Sequence, residues 1–239
     1  MQALRSAASG STSLESLALP SRLSSRLVAE AVGTCLLLAA VVGSGVMADR
    51  LSDGNVGVAL LANSIATGAA LVTIILVFGP ISGAHLNPAV TLVEAIQGRL
   101  TWRETLGFIL SQLAGALLGV VLAHAMFGLP ALSASHHDRG GIGQVLSEAV
   151  ATFGLIATIL GCARSRPNAL PFAVGLYITA AYWFTASTSF ANPAVTLART
   201  LTDTFTGIRP SHAPGFIAGQ LVGAGTAALL FRWFDRGER

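Results

Sequence analysis

The same six residues, Asn-Pro-Ala-Val-Thr-Leu, occur at 87–92 and again at 192–197. Asparagine is a preferred helix N-cap, because its side-chain oxygen accepts from unpaired N–H groups of the first turn. Proline is favoured directly after the cap, where its missing N–H costs nothing and its φ is already helical. Each copy therefore predicts the start of a helix. One Asn-Pro pair alone is typical of a turn, but identical copies in both halves of the chain indicate a repeated structural unit.

The composition is that of a membrane protein. Of the 239 residues, 53% are hydrophobic and only 10% are charged, and the mean hydropathy is +0.69. Soluble globular chains carry about 25% charged residues. The net charge of +3 comes with no basic face or RNA-binding motif, so the composition gives no reason to expect a nucleic-acid partner.

Apolar runs long enough to cross a bilayer predict six transmembrane helices, at roughly 27–48, 56–79, 103–126, 143–163, 170–187 and 212–234. Both Asn-Pro copies fall in connections between these runs. Each copy continues as a helical pattern of about ten residues, or about 15 Å, which is half the hydrocarbon thickness. These segments are predicted to be half-helices that enter the membrane without crossing it.

Other residues repeat as well, namely Glu30 with Glu148 and Gln112 with Gln220. We place repeat one at about 26–127 and repeat two at about 141–235, within a single domain of residues 26–235. Residues 1–25 are predicted to be a disordered cytoplasmic tail. Three crossings per repeat make the second repeat inverted relative to the first. Small residues spaced by four, Gly115 with Gly119 and Gly219 with Gly223, predict that spans three and six approach each other closely across the repeat axis.

The arginines predict the orientation, because cytoplasmic loops carry an excess of basic residues. With both termini inside, the cytoplasmic segments hold most of them: Arg5, Arg22, Arg26, Arg99, Arg103, Arg164, Arg166, Arg232, Arg236 and Arg239. The outer segments hold Arg50, Arg139, Arg199 and Arg209. We therefore expect a multi-pass protein of the inner cell membrane with cytoplasmic N- and C-termini.

Half-helices that enter from opposite sides bring two helix N-termini, each with about half a positive charge, to the midplane. Non-helical backbone at that depth survives only in a protein interior or beside a wet cavity. The amide NH₂ groups of Asn87 and Asn192 are predicted to donate to a passing solute. The predicted acceptors are the carbonyls before each cap, at Gly83, Ala84, His85, Phe190 and Ala191. This arrangement favours small neutral hydroxylated solutes and disfavours cations.

The chain resembles the aquaporin (major intrinsic protein) family over about residues 26–235. The resemblance is carried by Ser82-Gly83-Ala84-His85-Leu86-Asn87-Pro88-Ala89, by Asn192-Pro193-Ala194, and by the paired glutamates and glutamines. It implies an all-α fold with six transmembrane helices and two half-helices in inverted repeats around a pore. It further implies that Glu30 and Glu148 hold the pore loops by accepting backbone N–H groups, and that the protein is a homotetramer in the lipid bilayer.

The sequence departs from the family pattern after the second Asn-Pro-Ala, where Val195 stands in place of the usual arginine. An ungapped alignment assigns the remaining constriction positions to Thr67, Ala180 and Ser189. These residues predict a wide, uncharged constriction, and the resemblance then favours the glycerol-facilitating branch and bacterial channels associated with arsenic resistance. Arg199, one turn after Val195, either anchors the half-helix near the outer surface, which is the favoured interpretation, or reaches the pore in place of the missing arginine.

Passive diffusion of glycerol-like polyols, water and arsenite or related hydroxides is therefore the leading functional hypothesis. A water-selective aquaporin and a coupled secondary transporter are the alternatives. No Ser/His/Asp, Cys/His or paired-carboxylate arrangement indicates catalysis, so we expect no enzyme activity and no cofactor. His136, His137 and Asp138 lack further ligands at a suitable spacing and predict a solvated loop rather than a metal site.

Overall fold

The computed structural model describes residues 22–236 of the chain, and this part contains eight α-helices and no strand. The helices are α1 (Leu23–Leu51), α2 (Val56–Ser82), α3 (Pro88–Ile96), α4 (Trp102–Phe127), α5 (Ile142–Ser165), α6 (Leu170–Phe184), α7 (Pro193–Arg199) and α8 (Ala213–Arg236). Short 3₁₀ turns, Pro167–Ala169 and Pro210–His212, precede α6 and α8.

Five of these helices, α1, α2, α4, α5 and α8, are long and apolar enough to cross a membrane. Helix α6 occupies the predicted fifth span but has only 15 residues, or about 22 Å of helix. It ends at Phe184, three residues before the predicted boundary, and the 3₁₀ turn at Pro167–Ala169 extends it at the other end.

Most of the predicted N-terminal tail lies outside the described residues. Its last three positions, 23–25, form the first turn of α1.

Helices α3 and α7 are the two half-helices, with nine and seven residues. In both, asparagine is the N-cap in an extended conformation and proline follows in the first turn. At 1.5 Å per residue they span about 14 and 10 Å, which is too short to cross a bilayer.

Glycines set the helix packing, but with different partners from those predicted. A Cβ on Gly115 would overlap the carbonyl of Ala31, and one on Gly223 would overlap that of Ala149. Helix α4 therefore packs on α1 and α8 on α5, within each repeat and not across the axis. The prediction of contact between spans three and six was wrong because small-residue spacing identifies a packing face without identifying its partner.

The close contact between the repeats joins α2 to α6. A Cβ on Gly175 would lie 2.6 Å from the carbonyl oxygen of Gly68, and one on Gly68 would lie 2.8 Å from that of Gly175. The main apolar core surrounds this contact, where side chains from α1, α2, α4, α5 and α6 meet those of α7.

Candidate pore and constriction

A cavity of about 260 Å³ runs between the two repeats, and residues of both half-helices line it. Asn87 and Asn192 are both in its wall. Arg99, just after α3, and Arg199, the last residue of α7, also line it. Because the N-termini of α3 and α7 meet at the asparagines, these two arginines mark the two ends, which we call the Arg99 end and the Arg199 end. The cavity therefore extends in both directions from the pair of asparagines.

Each asparagine caps its own half-helix and donates to the other repeat. Asn87 Oδ1 accepts from Ala89 N at 2.9 Å, while its Nδ2 donates to Ala191 O at 2.7 Å. Asn192 Oδ1 accepts from Ala194 N at 2.9 Å, while its Nδ2 donates to Leu86 O at 2.8 Å. An amide nitrogen carries two N–H groups, so the reciprocal bonds leave one N–H on each asparagine to face the cavity.

Glu30, on α1, holds the segment before α3 through hydrogen bonds to its side-chain carboxylate. Its Oε1 accepts from His85 N at 2.9 Å and from Ser82 Oγ at 2.6 Å. Its Oε2 accepts from Leu86 N and from Gln112 Nε2, both at 2.7 Å. The carboxylate is fully buried but is surrounded by four donors, which is the condition under which a buried charge is tolerated.

Glu148 makes the equivalent contacts in the second repeat. Its Oε1 accepts from Phe190 N at 2.9 Å, and its Oε2 accepts from Ala191 N at 2.8 Å and from Gln220 Nε2 at 2.6 Å. The same glutamine donates to Thr196 Oγ1 at 2.8 Å, so it ties α8 to the half-helix α7. The two repeats therefore hold their loops with the same residue types in the same roles.

The loops before the caps contain non-glycine residues with left-handed backbone. Ala84, Leu86, Ser189 and Ala191 have φ values of +47°, +53°, +51° and +49°. Such conformations cost about 1–3 kcal/mol each unless the surroundings impose them. The carboxylates of Glu30 and Glu148, which accept the N–H groups of these loops, provide that constraint.

The predicted carbonyl acceptors of the wall all belong to residues that line the cavity, namely Gly83, Ala84, His85, Phe190 and Ala191. The carbonyl of Ala191 already accepts from Asn87, which leaves it one lone pair for a solute. His85 Nδ1 lies 3.1 Å from Thr91 Oγ1, and the His85 ring packs on the ring of Phe108.

Of the four predicted constriction residues, Thr67, Ser189 and Val195 line the Arg199 end and Ala180 does not. Ala180 is exposed on the outside of α6. Tyr182 faces the cavity instead, and its hydroxyl lies 3.2 Å from Thr67 Oγ1. The prediction that Ala180 faces the pore was wrong: two residues along a helix turn the side chain by about 200°, so a two-residue shift in the alignment exchanges the inner face of α6 for the outer one.

Arg199 is inside the cavity wall and not at the protein surface. The residue is 2% exposed, its Nε donates to Thr206 O, and its guanidinium carbon lies 3.4 Å from the centroid of the Phe190 ring. The favoured interpretation of Arg199 as a surface anchor was therefore wrong, and the expectation of an uncharged constriction falls with it.

A second arginine reaches this end from the third connection, residues 128–141 between α4 and α5. Arg139 Nε donates to Gly207 O at 2.8 Å, and its Nη1 donates to Ser187 O at 3.3 Å. Its guanidinium carbon is 5.2 Å from the Phe190 ring centroid. Burial lowers the pKa of Arg139 to about 10, so the group remains charged at neutral pH. No local sequence signal identified this residue, because all its partners are distant in the chain.

The Arg99 end carries an ion pair. Arg99 Nη1 donates to Glu94 Oε1 at 2.7 Å, and both residues line the cavity. Glu94 follows Val90 by one helical turn, as Arg199 follows Val195, so the two residues occupy equivalent positions in the two repeats. The repeats therefore place a carboxylate at one end of the cavity and a guanidinium at the other.

Among residues 22–236 no group of three or more His, Cys, Asp or Glu side chains could hold a metal ion. His136 and Asp138 instead pair with neighbours in the loops: His136 Nδ1 lies 3.1 Å from Asp203 Oδ2, and Asp138 Oδ2 lies 3.3 Å from Arg209 Nη1.

Comparison with known proteins agrees with this geometry. The sequence model of the family described as "Major intrinsic protein" matches residues 19–189 and 166–238. The chain is 59% identical over 211 residues to the aquaglyceroporin AqpS of Rhizobium meliloti, a match that covers 88% of this chain and 90% of that protein. It is 30% identical over 235 residues to the glycerol uptake facilitator protein of Streptococcus pneumoniae, covering 87% and 98% respectively.

Among solved structures, the aquaglyceroporin of Plasmodium falciparum superposes with a TM-score of 0.67 at 21% identity, covering 88% of this chain and 96% of that one. The predicted all-helical membrane fold and the family resemblance are both confirmed. The matches span nearly the whole chain, and the chain belongs to the major intrinsic protein family.

Proposed function

We propose that this protein is a membrane channel for passive, bidirectional diffusion of glycerol-like polyols and water. Arsenite and related neutral hydroxides are included in the proposal because they present several hydroxyl groups without charge, as glycerol does.

The observation that carries the proposal is the cavity between the N-termini of α3 and α7. Amide N–H groups of Asn87 and Asn192 face it at the centre, and loop residues with carbonyl acceptors line it on both sides. A solute that exchanges its water shell for these donors and acceptors loses little free energy, while a cation meets two positive helix ends.

Polyol-sized solutes are favoured over water alone by the residues of the Arg199 end. Val195 contributes an isopropyl group at the position directly after the second Asn-Pro-Ala, and Thr67 and Ser189 are also small. The relatives named as an aquaglyceroporin and a glycerol uptake facilitator support the same choice.

A coupled transporter is less well supported. Such a protein requires a titratable or ion-binding group near the midplane, where this chain has the amides of Asn87 and Asn192. Glu94 does line the cavity, but it lies at the Arg99 end and not beside the asparagines, and it is paired with Arg99.

We also propose that the protein is a homotetramer of the inner cell membrane with both termini in the cytoplasm. The arginine distribution supports the orientation, and the family resemblance supports the tetramer. In this orientation the Arg99 end opens to the cytoplasm and the Arg199 end to the outside.

The proposal is tested by stopped-flow light scattering on proteoliposomes that contain the purified protein. We expect glycerol and water to equilibrate faster than in empty vesicles, with arsenite entry measured in parallel. Flux should rise linearly with glycerol concentration and be independent of a proton gradient. Saturation or proton dependence would instead indicate the transporter, and water flux without glycerol flux would indicate a water-selective pore.

Replacement of Val195 by arginine should close the pore to polyols. The long side chain enters the constriction beside Arg199, so we expect glycerol permeability to fall about tenfold or more, equivalent to about 1.4 kcal/mol in the barrier, while water flux persists. Val195→Leu adds one methylene without charge and serves as the control for size. Unchanged glycerol flux in Val195→Arg would show that Val195 does not form the narrow part of the pore.

A further inference from the structure

We infer that Arg199 is the charge-selective residue of the pore. It supplies the positive charge that Val195 lacks, one helical turn further from the midplane. This inference rests on the proposed channel function and adds to it the residue that excludes small cations while neutral hydroxylated solutes pass.

The position of the guanidinium supports this role. Arg199 follows Val195 by four residues on α7, so both side chains are on one face of the half-helix, and both line the cavity. The ring of Phe190, itself a lining residue, packs against the guanidinium plane at 3.4 Å. This contact, together with the bond from Nε to Thr206 O, fixes the side chain in the wall.

The hydrogen bonds of Arg199 leave most of its donors available. A guanidinium has five N–H groups, and within residues 22–236 only Nε–H has a hydrogen-bond partner. The two Nη atoms have no partner among the described residues, and they are not fully enclosed by protein atoms. They therefore contact open space, which here is the cavity. A residue retained only as an anchor would be expected to spend these donors on the surrounding carbonyls, as Arg139 does.

Arg199 also forms no ion pair with another described residue. Of the ion pairs formed by the described residues, none involves Arg199 or Arg139. Both guanidinium groups lie against Phe190, so two positive charges stand at this end without a carboxylate partner. Charges removed from bulk water interact more strongly than exposed ones, and a small cation that enters from this side is repelled.

The neighbouring polar groups identify the class of solute that passes. Ser189 Oγ lines the same end, is buried and has no hydrogen-bond partner among the described residues. Tyr182 and Thr67 also line the cavity, and their hydroxyls lie 3.2 Å apart. A neutral solute with hydroxyl groups can accept from the Arg199 Nη donors and exchange hydrogen bonds with the hydroxyls of this wall, and it carries no charge for the two arginines to repel.

The test compares the guanidinium ion with glycerol in proteoliposomes. Guanidinium is a planar cation smaller than glycerol, so size does not exclude it from a pore that passes glycerol. Radiolabelled guanidinium uptake and glycerol flux are measured on the same vesicles for the wild type and for Arg199→Leu, Arg199→Lys and Arg209→Leu. Arg209 is a half-exposed loop arginine paired with Asp138, so its replacement removes the same charge without altering the cavity wall.

We expect the guanidinium-to-glycerol permeability ratio to rise about tenfold or more in Arg199→Leu, the effect of about 1.4 kcal/mol. The ratio should stay at the wild-type value in Arg199→Lys, which keeps the charge, and in Arg209→Leu. If Arg199→Leu does not reconstitute, Arg199→Gln replaces it, since this side chain keeps a donor and loses the charge.

The inference is overturned if the ratio is unchanged in the uncharged variant while glycerol flux is retained. It is equally overturned if Arg209→Leu or Arg199→Lys leaks as much, because surface charge or packing would then be responsible. Absence of glycerol flux in the wild type is a different result: it contradicts the proposed channel function itself and is seen before any variant is compared.

Discussion

At the scale of single residues, two buried carboxylates keep the pore loops in a strained conformation. Glu30 and Glu148 each accept the N–H groups of two consecutive loop residues, among which Leu86 and Ala191 have positive φ. Bonds from backbone N–H to a charged acceptor are stronger than those to a neutral one. The glutamates therefore stabilise the loop geometry that places carbonyl groups along the cavity.

Replacement of Glu30 by glutamine should destabilise the protein. The four donors around Glu30 require acceptors on both oxygens, and an amide turns one acceptor into a donor that faces other donors. We expect a loss of about 1–3 kcal/mol, seen as a lower melting temperature in detergent and fewer active channels.

Glu104→Gln is the matched control. Glu104 also accepts a backbone N–H, from Thr101 at 2.9 Å, but it is a partly exposed helix-cap residue. Its replacement should cost well under the loss for Glu30→Gln, because water can satisfy the groups it leaves. Equal losses in the two variants would show that burial of Glu30 is not the source of its contribution.

At the scale of elements, the helices and half-helices could be predicted because their signals are local. Hydrophobic length located the spans, and the Asn-Pro caps located α3 and α7. Side-chain direction was predicted less well. Ala180 was assigned to the pore by counting along an alignment, whereas the packing of Gly175 on Gly68 fixes the rotation of α6 and points Tyr182 inward. That contact joins distant parts of the chain, and no local pattern reports it.

Gly223→Ala should destabilise the contact between α8 and α5. The added Cβ overlaps the carbonyl of Ala149, so the helices must separate at a cost of about 1–3 kcal/mol. The gain in helix propensity, about 1 kcal/mol, offsets only part of this. We expect a melting temperature a few degrees lower than that of the wild type.

Gly225→Ala provides the comparison two residues further along the same helix. A Cβ there meets nothing within 4 Å, so only the propensity gain remains and the melting temperature should be equal or slightly higher. A loss of similar size in both variants would contradict the close-packing explanation for Gly223.

At the scale of the whole molecule, the Arg199 end is assembled from segments that no single repeat contains. Arg139 comes from the third connection, Phe190 precedes α7, and the carbonyls of Phe205 and Gly207 follow it. The duplicated caps and the paired glutamates revealed the symmetric part of the site in the sequence. The two residues that depart from this symmetry, Arg139 and Arg199, are positioned by the tertiary folding of the loops. The sequence therefore gave no signal for Arg139 and a misleading one for Arg199.

The proposed orientation predicts which loops react from outside the cell. In a background with Cys35 and Cys162 replaced by alanine, Leu132→Cys in the third connection should react with a membrane-impermeant maleimide on intact spheroplasts. Gln97→Cys, between α3 and α4, should react only after lysis. Both positions are exposed. The reverse labelling pattern would show that the termini are outside.

The reciprocal bonds between the asparagine amides and the carbonyls of Leu86 and Ala191 have a consequence for the origin of the fold. Neither repeat forms the centre of the pore alone, because the asparagine of each repeat donates a hydrogen bond to a backbone carbonyl of the other. Two short separate chains, inserted in opposite directions and related by a twofold axis in the membrane plane, satisfy the same exchange. Fusion of two such chains into one would therefore require no new contact at the centre of the pore, and would leave the ends of the cavity free to differ, as the ends that carry Glu94 and Arg199 do.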